Sequence, residues 1–254
     1  MTFQGQTAFV TGGTTGIGRA IALGLAQKGA HVLFTGIGDD HANSLLEEIE
    51  KTSGSGSFIP GDLSTKDGWK SLWENVQTKG QQIGLFVHSA SPPRPESQHV
   101  MAVTEDQWDS MVNTNLRTGF FLTRAVGEHM LENNIAGRIV MIVSLHSYAP
   151  RNLPHYSASK AGQVMLVKEF ARCWAKRNIR VNGIAPGAIA GGGFKADVST
   201  LEKKIAMGRT GVAEDLVGPA LSLLHDDHSR YVTGSILNVD GGIALYNWLD
   251  AHQS

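Results

Sequence analysis

The chain has 254 residues, 41% of them apolar, 18% charged and thirty of them glycine, enough to bury a substantial core and too apolar for disorder. Its 22 lysines and arginines are scattered among 23 acidic residues for a net charge of −1, so the basic stripe that nucleic-acid affinity requires is absent. No run of eighteen apolar residues occurs and the amino terminus runs straight into an apolar strand, so the expectation is one cytoplasmic domain over 1–254 with no membrane partner.

Short β-branched runs alternate with longer segments of helical period, the pattern of repeated strand-helix units. A strand at 7–11 leads into Thr11-Gly12-Gly13-Thr14-Thr15-Gly16-Ile17-Gly18 and then an amphipathic helix at 16–28. Glycines between a strand and a helix let the chain turn tightly and present helix amides to a pyrophosphate, so this stretch reads as a dinucleotide cradle. It lacks the Gly-Lys-Ser/Thr ending of a phosphoryl-transfer loop. A strand at 31–36 ends in Thr35-Gly36-Ile37-Gly38-Asp39-Asp40, and a helix at 40–52, a strand at 56–59 and a helix at 65–79 follow. The strand at 83–89 leads to His88-Ser89-Ala90-Ser91 and to Arg94 within Pro92-Pro93-Arg94-Pro95. Arg94 suits either recognition of a carboxylate or polyol or a solvated loop. One long helix is expected at 104–134, with Asn115 inside it.

Beyond a strand at 138–144, which Ser144 ends, a helix at 155–177 carries Tyr156-Ser157-Ala158-Ser159-Lys160. Residues four apart share a helix face, so the phenol and the ammonium point into one pocket. A cation about 4 to 5 Å from a phenol, at an effective dielectric of about 20, favours the phenolate by roughly 3 to 4 kcal/mol, the direction a general acid/base needs. His146 and His155 fall near the same rim. The single cysteine, Cys173, sits between Phe170 and Trp174 on this helix and is expected to be a buried structural thiol; no intrachain disulfide is possible. A strand at 179–185, an irregular stretch about 188–208 suited to a mobile substrate loop, a helix at 213–225 and a strand at 234–239 complete the pattern. His225-Asp226-Asp227-His228 reads as a polar turn whose ligands are too adjacent for a tetrahedral metal site, so no metal is expected. Seven strands and six helices make an α/β, doubly wound, Rossmann-like parallel sheet, with its crevice beyond the carboxyl ends of the strands.

Together, TGxxxGIG at Thr11–Gly18, Tyr156 and Lys160, Gly61-Asp62-Leu63-Ser64, Asn113-Thr114-Asn115, Ser144, Arg180-Val181-Asn182 with Pro186-Gly187, and Asp240-Gly241-Gly242 resemble the short-chain dehydrogenase/reductase family. The resemblance implies an NAD(P)-dependent interconversion of secondary alcohol and ketone, with Tyr156 as acid/base, Lys160 beside it and on the nicotinamide ribose, Ser144 on the substrate oxygen and Asn115 holding a water that links Lys160 to solvent. Ser147 is the reserve for Ser144, because the spacing to Tyr156 is one residue shorter than is common. It implies dinucleotide contacts at Gly12, Thr15, Gly16, Ile17, Gly18, Gly36, Ile37, Asp62, Leu63, Ser89, Ala90, Tyr156, Lys160, Pro186, Gly187 and Ile189, and a homotetramer built through the two long helices and the last strand, with the apolar tail Ile243 to Leu249, including Tyr246 and Trp248, consistent with a subunit contact.

Three departures stand out: His88-Ser89-Ala90-Ser91 for Asn-Asn-Ala-Gly, Gly191 for a threonine, and neither an acid at Gly36 nor an arginine at Ile37. The last leaves NAD against NADP open, and Asp39 and Asp40 tip the expectation slightly to NAD. Substrates left open are a sugar, polyol, hydroxy acid or other small carbonyl compound; alternatives are a 3-oxoacyl-carrier-protein reductase-like enzyme and a catalytically silent dinucleotide sensor.

Overall fold

The computed structural model describes residues 2–190 and 198–245. Seven strands, β1 (Thr7–Thr11), β2 (His31–Thr35), β3 (Ser55–Phe58), β4 (Ile83–His88), β5 (Arg138–Ile142), β6 (Arg180–Pro186) and β7 (Ile236–Val239), form one parallel sheet in the order β3-β2-β1-β4-β5-β6-β7. The order reverses between β1 and β4, the switch point at which such sheets open a ligand crevice.

Alternation along the strands divides the core between the two faces. Phe9, Phe86, Ile139, Met141 and Val181 pack on one face with Leu122, Val126 and Val167, which lie on α5 (Thr118–Glu132) and α6 (Pro154–Trp174). Ala8, Val10, Leu85, Val87, Val140 and Ile184 pack on the other with Ile21 and Leu25 of α1 (Gly16–Gln27), Leu45 of α2 (Asp39–Ile49) and Leu221 of α8 (Val217–Leu224). Because both faces are covered, the central strands read as near-continuous apolar runs. The remaining helices are α3 (Gly68–Gln77), α4 (Glu105–Met111), α7 (Val198–Glu202) and α9 (Asp226–Ser229).

Four expectations change. The helix expected at 104–134 is α4, opened by a Thr104–Gln107 capping box, then a π-helical segment at Val112–Arg117, then α5. Cys173 is exposed: it lies on the outer side of α6, while Phe170 and Trp174 turn inward. The polar turn at His225 to His228 is instead α9, whose Asp226 takes hydrogen bonds from Arg138 Nη2 at 2.6 Å and Arg180 Nη2 at 3.2 Å. The stretch about 188–208 begins pinned, since Ile189 bridges to Gly211 and Ala190 N–H donates to Gly211 O at 2.7 Å, and it contains α7. Gly191 and its two glycine neighbours, and the tail with Tyr246 and Trp248, lie outside the described residues.

Candidate active site

The glycine turn after β1 is shaped by close approach. A Cβ on Gly12, whose φ is 66°, would stand 2.8 Å from Ala90 Cα, and one on Gly18 would stand 2.1 Å from Gly12 O. Thr15 caps α1 in extended geometry without a side-chain bond to the helix amides, and the first turn holds no acid. Gly16 is exposed and open around its Cα, with Ile17 half-buried behind it. These residues therefore form an open-sided cradle of amides whose chemistry suits a pyrophosphate.

The adenosine side is bounded by the ends of β2 and β3. A Cβ on Gly36 would stand 2.2 Å from Thr14 Oγ1, so buried Thr14 occupies the space where a ribose-binding acid would begin. Ile37 is 71% exposed, and Asp39 and Asp40 begin α2 beside it. Asp62 is exposed with one carboxylate oxygen accepting from Ser64 N–H at 2.9 Å, while Leu63 is buried and its carbonyl accepts from Thr114 Oγ1 at 3.3 Å. Ser89 and Ala90 follow β4 and face the glycine turn; both their amides point to Thr11 Oγ1, at 3.2 and 3.3 Å. Across the sheet, Pro186 ends β6, and Gly187 N–H donates to Val239 O at 3.1 Å just before the pinned Ile189.

At the reacting end, three elements converge. Ser144, 5% exposed, stands two residues past β5; its Oγ accepts from His146 N–H at 3.0 Å and so keeps its own proton to donate. Ser147 Oγ is buried without a partner among the described residues, one turn away. On α6, Tyr156 packs against Met111 and Leu153, and the Lys160 Nζ lies 5.9 Å from the Tyr156 ring centroid. That Nζ donates to Ile142 O at 2.7 Å. Burial, with a further push from the Arg94 charge, lowers the Lys160 pKa to about 7. Asn115, wholly buried in the π-helical segment, donates from Nδ2 to Ser159 Oγ at 2.9 Å, and that hydroxyl donates to Tyr156 O at 2.8 Å.

Two arginines roof this pocket. The Arg94 guanidinium carbon is 4.2 Å from the Tyr156 ring centroid, and that of Arg151, paired with Glu96, is 5.8 Å away. Among the described residues Arg94 has no acidic partner within ion-pair distance. His146 points Nδ1 to Ala149 O at 3.1 Å, and burial and then the two arginines lower its pKa. Buried His155 also has a lowered pKa, through desolvation. The sequence reading missed Arg151 and the framework of Thr11, His88, Ser159 and Gln163. Arg94, for which the sequence left carboxylate or polyol recognition and a solvated loop both open, lies over the Tyr156 ring. Among the described residues no His, Cys, Asp or Glu cluster could hold a metal ion, and no helix is long and apolar enough to cross a membrane.

A switch-point glycine cradle that shares its crevice with a buried tyrosine-lysine pair defines a dinucleotide-dependent oxidoreductase, and comparison with known proteins narrows the class. A family model described as enoyl-(acyl carrier protein) reductase matches residues 12–244. The chain is 38% identical over 253 residues to the 2-dehydro-3-deoxy-D-gluconate 5-dehydrogenase of Bacillus subtilis strain 168, covering 94% of each. It is 33% identical over 254 residues to the L-rhamnose 1-dehydrogenase (NADP(+)) of Thermoplasma acidophilum, covering 96% of this chain and 98% of that one. A crystal structure of 3-oxoacyl (acyl-carrier-protein) reductase from Agrobacterium tumefaciens C58 with NADP bound superposes with a TM-score of 0.87 at 28% identity, covering 94% of this chain and 95% of that one. The chain belongs to the short-chain dehydrogenase/reductase family and is an NAD(P)-dependent oxidoreductase acting on CH–OH groups.

Proposed function

We propose that the enzyme interconverts a secondary alcohol and a ketone on an acidic sugar, with Arg94 gripping the carboxylate and Tyr156 moving the proton. The observation that carries the substrate class is the Arg94 guanidinium held over the Tyr156 ring without a carboxylate of its own among the described residues. Arg151 adds a second positive charge. A planar guanidinium is suited to bidentate carboxylate binding, and a sugar chain extending from that grip reaches the phenol. The relative named for 2-dehydro-3-deoxy-D-gluconate bears on a carboxylate of this kind.

When bound, the nicotinamide accepts or supplies the hydride. The cradle of Gly12, Thr15, Gly16, Ile17 and Gly18 holds the pyrophosphate; Gly36, Ile37, Asp62, Leu63, Ser89 and Ala90 line the adenosine side, and Pro186, Gly187 and Ile189 the carboxamide side. Tyr156 takes the alcohol proton as phenolate, or returns it to the ketone oxygen. Ser144 donates its free O–H to that oxygen. Lys160 carries its charge beside the Tyr156 ring and holds the nicotinamide ribose. Asn115 offers Oδ1, its acceptor without a partner among the described residues, to the proton path from Lys160 to solvent. NAD is the proposed cofactor, because Asp39 and Asp40 at the rim repel a 2′-phosphate and Arg19, the nearby cation of α1, is paired with Glu48. A single-domain, cytoplasmic homotetramer completes the reading. One exposed cysteine fits a reducing compartment, and exposed Met165 on α6 and Leu237 on β7 offer apolar surface to other subunits.

The test is initial rates with both nicotinamides over sugar acids, neutral sugars, polyols and acyl thioesters. Sugar acids with NAD should be preferred. Arg94→Ala should raise KM for the acids by roughly thirtyfold, the worth of a charge-assisted pair, and KM for polyols far less. An equal loss on neutral and acidic substrates removes the carboxylate assignment, and a strong NADP preference removes the cofactor choice.

A further inference from the structure

His88, at the end of β4, is wholly buried, and both ring nitrogens are engaged. Nδ1 lies 2.9 Å from Thr11 Oγ1 and Nε2 lies 3.2 Å from the carbonyl oxygen of Asn115. A carbonyl only accepts, so Nε2 carries the proton and Nδ1 accepts from the Thr11 hydroxyl. Burial, reinforced by the Lys160 charge, pushes the His88 pKa down to about 3, so the ring is neutral at any working pH.

Both ends of this bridge reach the site. Thr11 Oγ1, its proton directed at His88, accepts the amides of Ser89 and Ala90 and so sets the turn that passes against Gly12. At the other end, the Asn115 carbonyl takes a second side-chain bond, from Gln163 Nε2 at 2.8 Å. We propose that His88 is a positioning residue that serves both halves of the site, its Nδ1 side fixing the dinucleotide-facing turn through Thr11 and its Nε2 side fixing Asn115 beside the Tyr156-Lys160 pair. This rests on the dinucleotide seat and the Asn115 role proposed above.

The two roles separate by substitution, since the amide of Asn falls near the place of Nδ1 and the amide of Gln near that of Nε2. His88→Gln should weaken dinucleotide binding in the absence of substrate roughly tenfold, with the pH profile of kcat as in wild type. His88→Asn should hold dinucleotide affinity within about twofold and shift that pH profile. Thr11→Val, which cuts the same link without disturbing Asn115, should reproduce the His88→Gln result by calorimetry. The proposal is overturned if the three variants lower the melting temperature and leave both readouts at wild-type values, or if both His88 variants change the two readouts together. A wild-type protein that binds neither nicotinamide overturns the site reading itself, and this inference with it.

Discussion

At the scale of the residue, Lys160 carries the largest difference between motif and structure. Its spacing from Tyr156 is plain in the sequence, and so is the use of a cation beside a phenol. Its proton affinity is not, because that depends on burial against the end of β5, where Nζ meets Ile142 O, and on Arg94, which arrives from a loop sixty-odd residues earlier in the chain. Lowered to about 7, Lys160 binds its proton less readily in the folded protein than in the unfolded chain, where it titrates near 10.5. The cost of burying the charge is therefore in full force below about pH 7 and is relieved as pH rises towards 10.5. Lys160→Met removes that cost. The melting temperature of the dinucleotide-free variant should exceed that of wild type by more at pH 6 than at pH 9, whatever constant offset the lost bond to Ile142 O adds. A difference independent of pH would show that the lysine titrates as an ordinary one.

Elements were legible where they are regular and opaque where one residue or one distant partner decides. All seven strands fall within a few residues of their expected ranges; the five central ones, largely buried, leave a near-continuous apolar signature, whereas the edge strands β3 and β7 are partly exposed. The π-helical segment at Val112–Arg117 left no such trace: one extra residue per turn hardly disturbs a 3.6-residue apolar period, yet it sets the direction in which Asn115 points. The turn at His225 concealed an ion pair for the same reason, since its partners come from β5 and β6. Arg138 and Arg180 are cross-strand neighbours, both buried, a juxtaposition of like charges that Asp226 neutralises. The hydrogen bond from Arg138, and then its charge, hold the Asp226 carboxyl below its usual range. Its contribution is thus present above about pH 4 and is lost as pH falls through that depressed value. Because the carboxylate is half-exposed, we discount the pair to about 2 kcal/mol. Asp226→Asn should lower the melting temperature at pH 7 by roughly 4 to 8 °C, with a smaller difference near pH 3. An unchanged melting temperature would mean the two guanidiniums need no counter-charge.

For the whole molecule, the reversal of strand order between β1 and β4 marks where the proposed site gathers residues 12, 90, 115, 144, 156 and 187, which span most of the chain. The sequence motifs indicated that crevice; they left open which substrate enters it, because that depends on loops such as the one carrying Arg94. The central claim is that Tyr156 handles the proton and takes no large part in holding the dinucleotide. Its most direct test pairs stopped-flow turnover with calorimetric dinucleotide binding in Tyr156→Phe, which removes one oxygen and keeps the ring under Arg94. We expect kcat to fall by about a thousandfold or more while the dinucleotide dissociation constant stays within roughly threefold of wild type. Turnover retained within an order of magnitude in the phenylalanine variant would contradict the account.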